Sequence, residues 1–419
     1  MKVLYINTSQ EGGAAWCAQR ISKALEKQGI EYRMLVAEGK PQENVVVAVP
    51  DKEFWYSNYF LGKIKHLLMR TPFFWDKEKM DKVLKEKNSQ LESPLFIHGP
   101  FSYYKNITNH PLFEWADIIH LHWVSDFIDY PSFFRKVNKP IVWTLHDEFP
   151  AVGVQHYCSN YSILPVPLQP IDNFCRKVKR KAIKHARKLN LVAISKCMED
   201  VCAHSDILSR FPVNLIHNGI DGDTFRLISK TEARCELGLS LDTTIFMFSS
   251  FYLFDERKGL SLLIESLNRI GRDNMMLICV GNNTNASTLL PPTNYPIIQT
   301  GMIKDHNLLA LYYSAADYFI QCSYEESFGQ TPLEAMSCGT PVVAFPSGVI
   351  PELINKDNGV VCHDYTVDAL VDGIETAMQR SYDGGKIRKQ LLSHFSYNKI
   401  AEQYIKLYET ILDNSNAVE

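Results

Sequence analysis

Two carboxylates, Glu326 and Glu334, flank the segment whose residue types are best suited to chemistry. Phe328 and Gly329 lie in the loop between them, and a glycine-containing loop that enters a helix offers backbone N–H groups to a phosphate or a sugar hydroxyl. A carboxylate on each side of that loop can accept hydrogen bonds from two sets of hydroxyl groups. We therefore predict a ligand-binding segment that contains Glu326, Ser327, Phe328, Gly329, Gln330, Thr331 and Glu334.

A helix cap explains part of the same segment without a ligand. Thr331 suits the N-cap position, Pro332 the first helical position and Glu334 the third, so Thr331 and Glu334 can form a capping box. Gly339 then suits the end of the helix. The two interpretations are compatible for Glu334, but capping gives no reason for Glu326.

Two cations precede a second predicted helix. Arg257 and Lys258 lie between a predicted strand at 244–249 and an amphipathic helix at 260–270, where they can neutralise the diphosphate of a leaving group. Exposed lysines near turns are common, so the pattern alone also fits an ordinary turn. Two later strand ends could shape a slot for a base and ribose, at Gly281 and Ile303.

A glycine pair follows the first predicted strand. Gly12 and Gly13 precede a helical pattern at 14–28, and small residues there allow the backbone to approach an anion at the helix N-terminus. A tight turn without a ligand explains the pair equally well. The sequence is not G-x-G-x-x-G, which argues against a dinucleotide-binding oxidoreductase.

His146 ends a predicted buried strand at 141–146. A neutral imidazole there can hydrogen-bond a sugar hydroxyl, with Asp147 or a backbone carbonyl fixing its tautomer. The alternative is a structural histidine. His120 and His122 lie on one face of another strand, but no third ligand is evident, and we predict no metal site.

Apolar strands that alternate with amphipathic helices carry these residues. The pattern predicts parallel sheets covered on both faces, whose ligands bind at the carboxyl ends of the strands. The first series of strands is predicted at 3–7, 33–37, 45–49, 118–123, 141–146 and 191–195. The second is predicted at 213–217, 244–249, 275–281, 297–301, 318–322, 341–345 and 359–362.

Two such series predict an α/β protein with two Rossmann-like, doubly wound domains that face each other across a cleft. We place the N-terminal, acceptor-binding domain at 1–212 and the C-terminal, donor-binding domain at 213–395. A last helix, at 396–419, is expected to pack on the N-terminal domain.

The bulk composition fits a soluble protein of two domains. A chain of 419 residues is too long to fold around one ordinary hydrophobic core. The net charge of -3 excludes nucleic-acid binding by bulk electrostatics. The ten cysteines show no CxxC pair, which indicates reduced thiols. No signal peptide or membrane-spanning run is evident, so we predict a cytoplasmic protein.

The run E-S-F-G-Q-T-P-L-E-A-M that starts at Glu326 resembles the E-x7-E signature of glycosyltransferase family 4, whose members have the GT-B fold. The resemblance covers most of the chain and is strongest over 190–365. Further matching elements occur in family order: G-G at 12–13, T-L-H-D at 144–147, A-I-S-K at 193–196, H-N-G-I-D at 217–221, R-K-G at 257–259, Gly301 before a helix at 308–316, and N-G at 358–359.

The resemblance implies roles in donor recognition. Glu326 would contact hydroxyl groups of the donor sugar, and Phe328 and Gly329 would offer backbone N–H groups. Glu334 would hold the ribose. Lys258 and Arg257 would bind the diphosphate.

The resemblance also implies the reaction. Gly13 would let the first loop approach a phosphate, and His146 would lie beside the transferred sugar, so that His146, Lys258 and Glu326 form the catalytic set. Members of the family retain the anomeric configuration and need no metal. We therefore expect no cofactor besides the nucleotide-sugar co-substrate.

The chain departs from the family pattern in two places. Residues 249–253 read S-S-F-Y-L where many members carry a G-R element, so the second diphosphate cation must be Arg257 or come from elsewhere. Many close relatives in the family carry a cysteine cluster after T-x-H-D. This chain has only Cys158 and Cys175 with His156, too few to hold a metal.

Two stretches could touch the cytoplasmic face of an anionic membrane. Residues 176–188 hold eight Lys or Arg, and residues 54–70 mix aromatic and basic types. A solvated helix face is the alternative.

Together these features predict a retaining hexosyltransferase. It would move a sugar from a UDP- or GDP-sugar to a saccharide or lipid-linked saccharide, in the synthesis of a capsule, O-antigen or exopolysaccharide. Two alternatives stay open: a GT-B nucleotide-sugar epimerase, which would convert a donor without an acceptor, and a nucleotide-sugar-binding protein without catalysis.

Overall fold

The computed structural model describes residues 1–51, 75–91, 95–157, 164–186, 188–283 and 290–416. The chain forms two compact units. The first consists of Met1–Ile194, Met198–Ile216 and Ala401–Glu419, and the second of Ser195–Cys197 and His217–Ile400.

The first unit contains a seven-stranded parallel sheet with the order β3-β2-β1-β4-β5-β6-β7. Its central strands are almost wholly apolar and buried, as expected for a parallel sheet covered on both faces. The strands are β1 Lys2–Ser9, β2 Glu31–Glu38, β3 Val45–Val47, β4 Ile118–Leu121, β5 Ile141–Leu145, β6 Leu189–Ala193 and β7 Val213–Leu215. The helices up to this point are α1 Gly13–Glu26, α2 Lys77–Asn88, α3 Pro111–Trp115, α4 Tyr130–Lys136, α5 Gln169–Ile183 and α6 Lys196–His204.

The second unit contains a six-stranded parallel sheet with the order β10-β9-β8-β11-β12-β13. Its strands are β8 Thr244–Tyr252, β9 Met275–Asn282, β10 Ile297–Gly301, β11 Tyr318–Gln321, β12 Val342–Ala344 and β13 Gly359–Val361. The helices are α7 Lys230–Leu237, α8 Leu260–Ile270, α9 His306–Ala315, α10 Gln330–Ser337, α11 Ile350–Leu353, α12 Val367–Met378 and α13 Gly384–Phe395, and α14 Tyr397–Asn416 follows. The prediction of two Rossmann-like parallel-sheet domains is thus confirmed.

The assignment of 213–217 to the second series of strands is wrong. Val213–Leu215 pairs with β6 and forms the edge of the first sheet. Pro212 suggested a boundary, yet a proline is tolerated at the start of an edge strand, and its carbonyl accepts a hydrogen bond from Leu191 N.

The part of α14 from Ala401 onwards belongs to the first unit. Tyr408 Oη lies 2.6 Å from His120 Nδ1 and 3.2 Å from Tyr5 Oη. Tyr404 Oη lies 2.8 Å from Thr144 Oγ1. These buried hydroxyls add hydrogen-bond partners for polar groups of β1, β4 and β5 inside the core.

Within the described ranges, no helix is both long enough and apolar enough to cross a bilayer.

Candidate functional site

An ion pair between Lys258 and Glu326 lies at the carboxyl edge of the second sheet. Lys258 Nζ is 2.5 Å from Glu326 Oε1, and the two side chains are only 20% and 14% exposed. Lys258 ends a 3₁₀ turn after β8, and Glu326 follows β11, which pairs with β8. The fold therefore brings together two of the predicted site residues from distant parts of the sequence.

Arg257 forms hydrogen bonds that connect the 3₁₀ turn after β8 to the loop that carries Glu326. Its Nη2 donates to Asp255 Oδ2 at 3.0 Å, and its Nη1 donates to the Glu325 carbonyl at 3.0 Å. Asp255 also caps the turn by accepting from Arg257 N. Arg257 thus adds positive charge beside Glu326 while it holds the two loops together, and its contact with a diphosphate stays a prediction.

The positive charges keep Glu326 ionised. Burial by itself raises the pKa of this carboxyl, but the charges of Lys258 and Arg257, with hydrogen bonds from Lys258 and Ser323, hold the pKa below its usual value. The carboxylate is therefore an acceptor throughout the neutral pH range.

Two glycines allow the loops to pack closely. Gly259 has φ +76°, and a Cβ there would lie 2.3 Å from the Cys322 carbonyl oxygen. Gly348 has φ +58°, and a Cβ there would lie 2.4 Å from the Phe328 carbonyl oxygen and 2.8 Å from Glu326 Cβ. The position of the Glu326 loop thus depends on the absence of a side chain at 348.

We expect Gly348→Ala to lower the free energy of unfolding by at least about 3 kcal/mol, because it adds a backbone clash to an unfavourable φ. Gly238→Ala is the matched control: Gly238 also has positive φ (+65°), but its added Cβ would meet no described atom within 4 Å. The control should cost only about 1 kcal/mol. Urea denaturation measures both free energies of unfolding. Equal losses of stability would show that the Glu326 loop leaves room for a Cβ at position 348.

Helix α10 does not begin with the predicted threonine cap. Gly329, with φ +95°, is the N-cap residue, and the helix begins at Gln330. Glycine tolerates positive φ, so the chain turns into the helix two residues earlier than predicted. The capping box between Thr331 and Glu334 is therefore wrong. Glu334 is instead buried, and its Oε2 accepts from Tyr313 Oη at 3.0 Å.

Neighbouring contacts hold the rest of the segment. Ser327 O accepts from Ser195 Oγ at 2.7 Å, and Gln330 Nε2 donates to Gly219 O at 2.9 Å.

The two residues predicted to shape a slot for the base and ribose lie elsewhere in the second unit. Close packing alone explains the glycine at position 281, because a Cβ there would lie 1.9 Å from the Ser250 carbonyl oxygen. Ile303 is half-buried in the loop between β10 and α9.

The glycine pair of the first unit opens helix α1. Gly12 is its N-cap residue with φ +98°. A Cβ on Gly12 or Gly13 would meet none of the described atoms within 4 Å. Close packing by the described residues therefore does not explain the pair, and the approach of an anion to the α1 N-terminus stays a prediction.

His146 is held by another histidine. Its Nε2 lies 2.8 Å from His122 Nδ1, and burial lowers the pKa of His146 to about 4 despite an opposing effect of Asp147. The imidazole is therefore neutral at pH 7. His122 is thus the partner of Nε2, and the suggestion that Asp147 or a backbone carbonyl fixes the tautomer of His146 stays a prediction. Asp147 accepts from Trp123 Nε1 at 2.6 Å and contacts His156 Nδ1 at 2.5 Å.

The described residues include no group of three His, Cys, Asp or Glu side chains placed to hold a metal. The proposed absence of a metal in the reaction stays a prediction. Cys158 lies outside the described residues, while Cys175 is buried.

The basic stretch at 176–188 is only partly a solvated face. Lys179 is fully buried, and its Nζ donates to the carbonyls of Phe149 and Val152. Arg176 and Arg180 contact Asp206. Membrane contact stays a prediction, and the second stretch proposed for it, 54–70, lies outside the described residues.

The fold and these motifs define a glycosyltransferase, and the chain belongs to glycosyltransferase family 4. The model of that family matches residues 11–224, and the model of group 1 glycosyl transferases matches residues 230–399. The fold is GT-B, and the chain is a transferase.

Two relatives illustrate the similarity of the sequence to known proteins. An uncharacterised glycosyltransferase of Methanocaldococcus jannaschii is 23% identical over 71% of this chain and 76% of its own length. A D-inositol 3-phosphate glycosyltransferase of Mycobacteroides abscessus is 27% identical over 47% of this chain and 46% of its own. The chain thus spans about half of the second relative.

Solved structures share the fold. Sucrose-phosphate synthase from Thermosynechococcus elongatus matches with a TM-score of 0.70 and 18% identity, over 99% of both chains. HepE from Anabaena, solved with UDP-glucose, matches with a TM-score of 0.65 and 18% identity, over 98% of this chain and 100% of its own.

Proposed function

We propose that the chain is a retaining glycosyltransferase that takes a hexose from a UDP- or GDP-sugar. The acceptor would be a saccharide or a lipid-linked saccharide, and the product would belong to a capsule, O-antigen or exopolysaccharide. The observation that carries the proposal is the Lys258–Glu326 pair at the carboxyl edge of the second sheet.

The pair supplies opposite functions at one place. Lys258 offers a cation to the diphosphate, where negative charge grows as the leaving group departs. Glu326, held ionised by its neighbours, offers an acceptor to sugar hydroxyls. Lys258 and Glu326 contact each other, and a bound donor would replace this one charged contact with two.

The comparisons support a nucleotide-sugar donor. HepE, which shares the fold, was solved with UDP-glucose. The α10 N-terminus adds a positive dipole end next to Glu326, with Gly329 as its N-cap residue.

Retention follows if the acceptor attacks the face from which the diphosphate leaves. The acceptor oxygen forms a bond to the anomeric carbon as the bond from that carbon to the phosphate oxygen breaks. The acceptor proton passes to the departing phosphate oxygen. The protein then needs no nucleophile of its own and acts by positioning and charge stabilisation.

A thermal-shift screen against UDP-, GDP-, ADP- and CMP-sugars tests the proposal. One nucleotide class should raise the unfolding temperature by roughly 5 °C at a concentration near 100 times its Kd, since that excess adds about 2.7 kcal/mol. The proposal fails if no nucleotide sugar stabilises the protein.

A further inference from the structure

A buried glutamine ends strand β11, shortly before Glu326. Gln321 is the last residue of that strand, and its side chain is only 4% exposed. Neither polar atom of its amide, Nε2 or Oε1, has a hydrogen-bond partner among the described residues. Buried side-chain amides normally pair both their donor and their acceptor. No sequence pattern singled out Gln321, because one polar residue at the end of an apolar strand is common.

The unpaired amide lies against the N-terminus of helix α10. A Cβ on Gly329, the N-cap residue of that helix, would lie 2.8 Å from Gln321 Nε2 and 3.3 Å from Gln321 Oε1. The absence of a side chain at position 329 thus leaves room for the amide, in addition to allowing the φ of +95°. The main chain of Gly329 is therefore an immediate neighbour of the amide, although the two form no hydrogen bond.

Two buried hydroxyls beside the same loop also lack partners. Ser327 lies in the loop itself, and Ser347 precedes Gly348, which packs against Glu326 and Phe328. Neither Ser327 Oγ nor Ser347 Oγ has a hydrogen-bond partner among the described residues. Of the ten buried side-chain N and O atoms left unpaired in the described parts of the chain, four thus belong to Gln321 and these two serines. The unpaired groups therefore concentrate at the Glu326 loop.

The unpaired amide makes the free protein less stable than it would be with an apolar side chain of the same shape. Such departures from good pairing are expected where function, not stability, determines a residue. Gln321 ends a strand that lies between β8 and β12 inside the sheet, whereas Gly329 lies in a loop. A movement that gives the amide its partners must therefore come from the loop.

We propose that Gln321 is a positioning residue of the nucleotide-sugar site. When the diphosphate binds at the α10 N-terminus, the Glu326 loop moves towards Gln321. Oε1 of the amide then accepts from a main-chain N–H of the loop, and Nε2 donates to a main-chain carbonyl. The amide acts through the main chain of Gly329, which it holds towards the bound anion. The pairing adds to the affinity for the nucleotide. This assignment rests on the proposed function.

Gln321→Met tests the assignment on the full chain, because methionine keeps the length of the side chain and removes both polar atoms. The unfolding temperature of the free protein should rise by roughly 2–4 °C. The affinity for UDP, GDP or ADP, whichever the wild type binds in isothermal titration, should fall roughly tenfold. The opposite signs of the two changes identify a positioning role, since a merely structural residue would not stabilise the fold and weaken binding when replaced. Gln321→Leu is the second variant if methionine does not pack there.

Thr108→Val is the matched control. Thr108 Oγ1, in the first unit, is another buried side-chain atom without a partner among the described residues. Valine has nearly the same shape and lacks the hydroxyl, so this substitution should also raise the unfolding temperature. It should leave the affinity for the nucleotide unchanged.

Two results would overturn the assignment while the proposed function stands. One is an affinity that stays within about threefold of the wild type in Gln321→Met. The other is a lower unfolding temperature in both apolar variants, which would show that the amide is already paired in the free protein, for instance through a bridging water. If the wild type binds none of the three nucleotides and no nucleotide sugar stabilises it, the proposed function fails, and the role of Gln321 fails with it.

Discussion

Replacing Glu326 with glutamine is expected to lower turnover of the nucleotide sugar by about two to three orders of magnitude, while the protein stays folded. Glutamine keeps the shape of the side chain but removes the charge that Lys258 contacts at 2.5 Å. It also presents an N–H group where the sugar hydroxyls need an acceptor. Release of nucleoside diphosphate from the stabilising donor measures the loss.

A second glutamate separates this effect from general damage. Glu265 also pairs with an arginine, Arg269, at 2.6 Å, but both side chains are about half exposed. Glu265→Gln should therefore leave turnover and the unfolding temperature nearly unchanged. Turnover in Glu326→Gln within about threefold of the wild type would remove Glu326 from the reaction.

Replacing Lys258 with methionine is expected to weaken binding of the nucleoside diphosphate roughly 10- to 100-fold, because a hydrogen bond to a charged group contributes about 1.5–3 kcal/mol. Methionine keeps the length and removes the cation. The change also leaves the Glu326 carboxylate without its closest positive charge, which raises the pKa of that group. Isothermal titration with UDP and GDP measures the affinity.

Lys230 supplies the control for this substitution. Its Nζ contacts Asp317 at 2.5 Å, but it is 48% exposed, so Lys230→Met should leave the affinity unchanged. Because Lys258 and Glu326 touch, the double substitution should lose less turnover than the two single losses combined. An unchanged affinity in Lys258→Met would show that the diphosphate binds elsewhere.

Strong local patterns made much of the second unit predictable. Helix α8 has the predicted bounds, Leu260–Ile270, because its apolar face repeats with helical period and glycines flank it at 259 and 271. The sequence placed Lys258 and Glu326 on loops that follow strands of the second series, but their ion pair was not predicted.

Features that depend on tertiary contacts were not predictable. Helix α10 starts after Gly329, whose φ is positive. The sequence pointed to a later start, because Thr331 and Pro332 also match the residue types preferred at a helix N-terminus. Tyr313 and Glu334 form a hydrogen bond between helices α9 and α10. The periodicity of a sequence indicates the buried face of each helix but not which residues of the two helices meet. The edge strand Val213–Leu215 is too short to reveal which sheet it joins.

The network around Asp147 shows the same limit. Sequence reasoning singled out Asp147 only as a neighbour of His146, whereas the fold uses it to hold Trp123 and His156. His98 Nδ1 lies 2.7 Å from His156 Nε2 and joins this network from a separate part of the chain. No sequence pattern around His98 indicates a buried polar contact.

Proton NMR of wild-type turnover tests the central claim most directly. The protein is incubated with the donor that stabilises it, and the anomeric proton of the transferred or released sugar is followed over time. We predict release of nucleoside diphosphate and a first product with the anomeric configuration of the donor. Recovery of an epimerised sugar nucleotide, a product of inverted configuration, or an unchanged donor would contradict the account.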